Sequence, residues 1–423
     1  MATPRIRKGK KATNQLRLAE HQQARGIALT RVERDSLIRS AKDVVVTPVA
    51  GQDDIYDIRP GSSIGVVTAG ERQIIIRPKI GFERAMFLVS YAIGRGRWFD
   101  DVARLAQADL IIEAVAIAFA RHLRIALGRG VLRGYRRYED SLHTVRGRVR
   151  FDDQLRVRLG VAPPIEVAFD EFTEDIDENR LLRAALDRLR RFRMRSRLPA
   201  RQLRPHEVAL TDVQLVAYES RALPEINFTR VNEHYRDAIA LAKLILEGTS
   251  YELEGGDVRA TAFLIDMNKV FEDFVVIALR EALGLTETEF PQGARRRHVH
   301  LDRRARVGLQ PDLSWWDSAT CDFVGDVKYK RTTVEGIENA DLYQLLAYTI
   351  ALQLPCGLLV YGAGIETSVT HEVLQAGKRL LVRTLDVAQD PETILENVRE
   401  LAAEVRRLRI TNRADRRMTV AAA

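Results

Sequence analysis

The chain has 423 residues, enough for two or three domains, and its hydrophobic fraction of 46% is ordinary for a globular protein. Its two cysteines, Cys321 and Cys356, exclude a four-cysteine zinc site and fit a reducing cytoplasm. No apolar run is long enough to span a membrane, because 110–120 is interrupted by Glu113, and no apolar segment follows the basic N-terminus as it would in a signal peptide. The net charge of +8 belongs to the ends: residues 1–40 carry +7 and residues 401–423 carry +4, so the interior is slightly acidic.

In chain order, residues 1–27 read as a basic tail without fixed structure, able to attract phosphates nonspecifically. Residues 28–100 read as a β-rich module: short apolar runs at 44–46, 64–67 and 74–76 alternate with Gly and Pro turns, and a helix is expected over 87–98. Residues 101–250 read as mainly helical, with amphipathic helices at 105–126, 179–192 and 232–247 and strand-like alternation over 146–159. The acidic knot at 170–178 suits the first turn of the helix that follows it better than a metal site. Gly248 and Gly255-Gly256 mark a boundary. Residues 251–410 then read as an α/β domain closed by a helix over 393–408, and 411–423 as a second tail. The predicted class is mixed α/β.

Basic residues cluster twice inside the chain. Arg188, Arg190, Arg191, Arg193, Arg195, Arg197, Arg201 and Arg204 form one group, suited to an acidic partner or to solvent. Arg295, Arg296, Arg297, Arg303, Arg304 and Arg306 form the other. The second is the better DNA candidate because it directly precedes the chain's most informative motif. His298-Val299-His300 has no companions at zinc spacing.

That motif is Gln310-Pro311-Asp312, followed by Asp326-Val327-Lys328. Runs rich in aromatic and β-branched residues flank the turn-forming Asp317-Ser318-Ala319-Thr320, so a hairpin is expected that sets Asp312 opposite Gly325 or Asp326. Side chains of a strand alternate, so Asp326 and Lys328 share a face, together with Val324. Two carboxylates suit a hard cation such as Mg²⁺, and a neighbouring ammonium suits charge developing on a phosphate. The pattern is that of a PD-(D/E)xK phosphodiesterase site, with Asp312 and Asp326 as metal ligands and Lys328 as the catalytic cation.

Two helices add to it. Met267, Val270, Phe271, Phe274, Val275 and Ala278 recur at helical spacing, and Glu272 sits beside that stripe, where it could join the metal ligands. Gln344 and Tyr348 are four apart and share a helix face that would flank the site, as would Lys330 after the D-x-K strand.

Taken together, the runs 263–275, 309–313, 326–330 and 343–348 resemble the McrC family, the nuclease subunits of McrBC modification-dependent restriction systems. Weaker likeness extends upstream through 63–67, 74–80, 147–149, 169–175 and 179–182, so that about residues 40–400 are covered. Val327 replaces the small residue the family usually places between Asp and Lys, which leaves the ligands intact. The resemblance implies a PD-(D/E)xK fold for residues 251–410, Mg²⁺-dependent endonuclease activity, and a McrB-type AAA+ GTPase partner that recognises 5-methylcytosine in DNA. It implies that residues 28–250 bind that partner. GTP would be bound by the partner: Gly94-Arg95-Gly96-Arg97 and Gly128-Arg129-Gly130 lack the spacing and the Lys-Ser/Thr of a phosphate loop. The rival readings are a self-sufficient repair or recombination nuclease with the same core, and a DNA-binding adaptor with a degenerate site. The upstream likeness argues against the first and the intact Asp312, Asp326 and Lys328 against the second.

Overall fold

The computed structural model describes residues 15–93, 111–157, 163–192, 194, 196–220, 222–254, 257–292, 299–331, 336–363 and 369–421. The expected segments 1–14, 94–110, 158–162, 255–256 and 293–298 lie outside the described residues, and with them Arg295, Arg296, Arg297 and His298. The fold is mixed α/β and divides into two compact units: Met1–Val66 with Gly70–Gln107 and Leu264–Ala423, and Val67–Ala69 with Ala108–Phe263.

The N-terminal part contains β1 (Gln15–Ala19), β2 (Ala24–Ala28), α1 (Arg31–Ser40), β3 (Val44–Pro48), β4 (Ile55–Pro60), β5 (Ser63–Ala69), β6 (Arg72–Arg77) and α2 (Phe82–Ala92). β1 runs parallel to β6, and β4 is flanked by antiparallel β2 and β3. Two strands thus occupy 15–28, where a tail was expected. The apolar pair Leu16 and Leu18 is short and sits among basic residues, so its pairing with Ile74 and Ile76 is visible only in three dimensions. A capping box starts α1: Glu33 N donates to Thr30 Oγ1 at 3.2 Å and Thr30 N donates to Glu33 Oε2 at 2.9 Å.

The second unit contains α3 (Ile111–Ala126), β7 (Gly134–Leu142), β8 (Arg148–Val149), α4 (Phe151–Val157), β9 (Ile165–Thr173), α5 (Asp177–Arg190), α6 (Leu198–Ala209), α7 (Arg236–Gly248), β10 (Thr249–Glu254) and β11 (Asp257–Asp266). The helical core forms where α3 packs on α6 and α7, and α5 packs on α7. β9 lies between β7 and β8 in a three-stranded sheet. Of the strand expected over 146–159, only β8 forms; Asp152 and Asp153 stand in the first turn of α4, where acids favour a helix. The acidic knot is consumed internally. Asp175 accepts from Arg136 Nη1 at 2.5 Å and Arg180 Nη2 at 2.6 Å, while Asp177 and Glu178 open α5.

The rest of the first unit is α8 (Met267–Leu283), β12 (Val299–His300), β13 (Gly308–Leu309), β14 (Leu313–Asp317), β15 (Thr320–Arg331), α9 (Asn339–Ala351), β16 (Cys356–Ala363), β17 (Val369–Val373), β18 (Lys378–Thr384) and α10 (Pro391–Ala421). Its sheet has the order β14-β15-β16-β18-β17: β15, β16 and β18 run parallel, and β14 and β17 are antiparallel edges. The registers place Val324, Asp326 and Lys328 on the same face as Leu359, Tyr361, Leu380 and Val382. Leu345 and Tyr348 of α9 cover this face, so Val324 is core rather than a flaw in the alternation. On the opposite face α8 packs against β15, with Phe271 and Tyr329 rings 5.7 Å apart.

α10 overturns the expected tail at 411–423, since it remains helical to Ala421. Asn412 is fully buried, donating to Asp322 O at 2.9 Å and accepting from Cys356 N at 3.2 Å. Arg409, Arg413 and Arg416 converge on the buried Asp322, which explains why so basic a stretch docks. In the other basic cluster, Arg188 bonds Tyr218 O, and Arg190 and Arg191 pair with Asp187.

Gly325, just before Asp326, has no room for a side chain: a Cβ there would lie 2.7 Å from Leu358 O and 3.2 Å from Leu313 Cδ1. Gly325→Ala should therefore destabilise the fold by about 1–3 kcal/mol, because the backbone oxygen cannot yield. Urea unfolding is expected to show a lower midpoint with an unchanged slope; an unchanged midpoint would contradict the packing described.

Candidate active site

The hairpin forms in the expected register. Leu313 pairs with Gly325 and Asp317 with Thr320, and Ser318 takes the left-handed turn conformation at φ +55°. Extending that pairing by one residue sets Asp312 against Asp326. Pro311 is buried at the start of an edge strand, where its missing N–H costs the ladder nothing. Asp312 Oδ2 accepts from Val327 N at 2.9 Å, which fixes its carboxylate beside the D-x-K strand.

Asp326 is the most deeply placed of the group, at 1% exposure on a strand flanked on both sides. Both of its carboxylate oxygens are buried, and the Asp312 carboxyl lies within hydrogen-bonding reach of them. Lys328 Nζ lies 2.6 Å from Oδ2 as an ion pair. Glu272 is half-buried on α8, and its charge is felt at Asp312.

Burial, with the nearby charges of Asp326 and Glu272, pushes the Asp312 carboxyl up from 3.8 to about 8. Burial also raises Asp326, against the pull of Lys328. Glu272 is raised by burial and by Asp273. Burial of the Lys328 ammonium works to lower its pKa, but Asp326 and Asp312 outweigh this and leave it raised, so the lysine stays charged. Two carboxylates this close cannot both ionise cheaply without a cation. The oxygen-only donor set, with Asp326 buried beside Asp312, fits a hard divalent ion, and two protein carboxylates are what Mg²⁺ commonly takes. Among the described residues, no group of three or more His, Cys, Asp or Glu converges closely enough to hold a metal, so Glu272 is not brought into a three-carboxylate cluster.

The flanking residues divide. Tyr348 is buried and donates to Gln310 O at 3.0 Å while accepting from Gln344 Nε2 at 2.7 Å, so the helix pair holds the chain just before Pro311 and Asp312. Gln344 itself is exposed. Lys330 is turned into Asp341 and Glu338, each at 2.8 Å. Arg303, Arg304 and Arg306 are exposed on the turn between β12 and β13, which Asp302 organises by accepting from the amides of Arg304, Arg306 and Val307. Sequence reasoning missed Asp341. It is buried, accepts from Tyr361 Oη at 2.5 Å, and its charge reaches Asp326 and Lys328. Its place in the first turn of α9 was the available signal.

A family model described as McrBC 5-methylcytosine restriction system component matches residues 58–362, which include every residue of this cluster. The chain belongs to the McrBC family. Among solved structures, it is similar to a half-complex from a tetradecameric assembly of Thermococcus gammatolerans McrB AAA+ hexamers with bound McrC, at TM-score 0.54 and 18% identity, over 91% of this chain and 98% of that one. At that identity the likeness speaks for the fold of this McrBC family member. A cryo-EM structure of the Thermococcus gammatolerans McrBC complex matches at TM-score 0.41 and 22% identity, over 64% of this chain and 88% of that one, too low to argue from. No curated protein sequence matches. No described helix is long and apolar enough to cross a membrane.

The raised Asp312 pKa has a measurable consequence. Below about 4 both folded and unfolded chains hold this proton; between there and about 8 only the folded chain does, so stability falls as pH rises through that window. Asp312→Asn removes the loss. In chelator, the variant should melt a few degrees above wild type at about pH 8.5 and close to it at about pH 4. An advantage equal at both pH values would contradict the assignment.

Proposed function

We propose that this chain is the nuclease subunit of a modification-dependent restriction system, a Mg²⁺-dependent DNA endonuclease that works with a McrB-type AAA+ GTPase. The observation that carries the reading is Asp326: a carboxylate at 1% exposure, set against a second carboxyl, Asp312, and the ammonium of Lys328. Family membership and the five-stranded mixed sheet with helices on both faces support a PD-(D/E)xK core. The similar half-complex, in which McrC is bound to McrB hexamers, supports the partner. The description of the matching family model supports 5-methylcytosine as the mark that the system reads.

Asp312 and Asp326 would hold the ion, with Glu272 behind them. When bound, Mg²⁺ supplies Lewis-acid polarisation of the phosphate and a more acidic water. The chain's own residues do the rest. Lys328, kept charged by Asp326 and Asp312, places an ammonium where negative charge grows on the phosphorus oxygens. Glu272, raised by burial and by the charge of Asp273, holds a proton at its carboxylate more readily than an exposed glutamate does. Tyr348 and Gln344 steady the strand that presents Asp312. Exposed Arg303, Arg304 and Arg306 offer positive surface for DNA phosphates, and Arg295, Arg296 and Arg297, which lie outside the described residues, are the further DNA candidates from the sequence.

Plasmid cleavage with the reconstituted GTPase partner tests the site. Asp326→Ala should lose cutting by at least ~100-fold, and Lys328→Ala should fall by about 100-fold with little change in the Mg²⁺ concentration for half-maximal rate. Near wild-type cutting by the Asp326 variant would remove it from the site.

The division of labour is tested separately. The purified chain should neither hydrolyse GTP nor distinguish methylated from unmodified DNA, since its sequence carries no phosphate loop. Added to its partner, it should raise GTP turnover and yield cutting that needs both GTP and modified cytosine. Robust GTP-independent cutting of unmodified DNA by the chain alone would favour the self-sufficient repair nuclease.

A further inference from the structure

β15 loses its register with β16 just beyond the D-x-K motif: Lys328 pairs with Tyr361, and the next paired residue is Arg331, with Ala363. Such an irregularity frees a backbone group from the ladder and re-aims the side chains beside it. The carbonyl of Tyr329 accepts from Lys79 Nζ at 3.2 Å. The same ammonium lies 3.8 Å from the centroid of the Tyr329 ring, which also rests against Phe271. The ring's hydroxyl reaches Glu20 Oε1 at 3.4 Å, and that oxygen accepts from Lys79 N at 3.0 Å. Glu20 is 6% exposed, far more buried than a carboxylate without a role.

From this geometry we infer that Glu20 and Lys79 are positioning residues for Lys328. Following the ends of β1 and β6, they grip the backbone, ring face and hydroxyl of the residue next to Lys328. The grip holds the register break in one conformation and so holds the Lys328 ammonium at Asp326. The inference rests on the proposed role of Lys328 in phosphodiester cleavage. Lys79 acts here through Tyr329; since it is exposed, its rival role is a plain phosphate contact.

The test uses the full chain with Lys79→Met, Lys79→Arg and Glu20→Gln. The first arm needs neither metal nor DNA: acylation of Lys328 by an amine-reactive ester, followed by mass spectrometry of the peptide. Lys79→Met should label several-fold faster than wild type, because the ion pair loosens, while Lys79→Arg should label at close to the wild-type rate. The second arm is cleavage with the GTPase partner. In Lys79→Met the maximal rate should fall about tenfold with KM for DNA unchanged, a displacement effect on a catalytic group. Should Lys79→Met fail to fold, the double variant Glu20→Gln/Lys79→Met, which buries no unpaired charge, replaces it in both arms. Unchanged labelling overturns the inference. So does a raised KM at unchanged maximal rate, which marks a phosphate contact. If wild type does not cut DNA, the nuclease reading fails, and the labelling arm still decides the clamp.

Discussion

Two carboxylates side by side, Asp326 buried and Asp312 half-buried, dominate this structure. Asp312 and Asp326 face each other across the β14–β15 hairpin, and neither can shed its proton cheaply without a positive charge beside it. Lys328 supplies one such charge. The remaining demand, expressed in an Asp312 pKa near 8 and in an Asp326 pKa still raised by burial, is what a divalent ion would satisfy. A core of apolar residues of similar volume would be no less stable, so the arrangement is better explained by chemistry than by folding.

Much of the surrounding fold holds this pair in place. Gly325 lets β14 and β16 close on the strand just before Asp326. Tyr348 reaches from α9 to the carbonyl of Gln310 and anchors the approach to Asp312. On the far side Asp322, buried with Arg409, Arg413 and Arg416, ties α10 to the same strand. Lys79 and Glu20 hold its other end at Tyr329. β15 is thus gripped along its length, which is how a reacting group is kept within the small tolerance catalysis allows.

What was legible in the sequence was local. The turn residues 317–320 and the alternation around them narrow the partner of Asp312 to Gly325 or Asp326, and the register shift between Trp315 and Trp316 decides for Asp326; the spacing of Met267, Val270, Phe271 and Phe274 is enough to make a helix with Glu272 at its flank. Gln344 and Tyr348 share a face because they are four apart, and their hydrogen bond follows. What was hidden depends on distant partners. Glu20 lies 309 residues from Tyr329, and no local pattern announces that contact. Basic stretches misled for the same reason. Residues 411–421 resemble a solvated tail until Asp322 gathers their arginines, and Lys330 looks available for DNA until Asp341 and Glu338 are seen beside it. The helix that opens at Phe151 was read as strand because its apolar residues are few and its acids, Asp152 and Asp153, act only at a helix start.

The most direct test of the central claim is calorimetric titration of Mn²⁺ or Mg²⁺ into the full chain near pH 7, in two buffers of different ionisation enthalpy. If Asp312 and Asp326 are the ligands, and Asp312 is protonated when no metal is bound, binding must expel its proton. The account predicts one class of sites that releases close to one proton per ion, and no binding of that class in Asp312→Asn/Asp326→Asn. Equal binding by wild type and the double variant, or binding with no proton release, would contradict it.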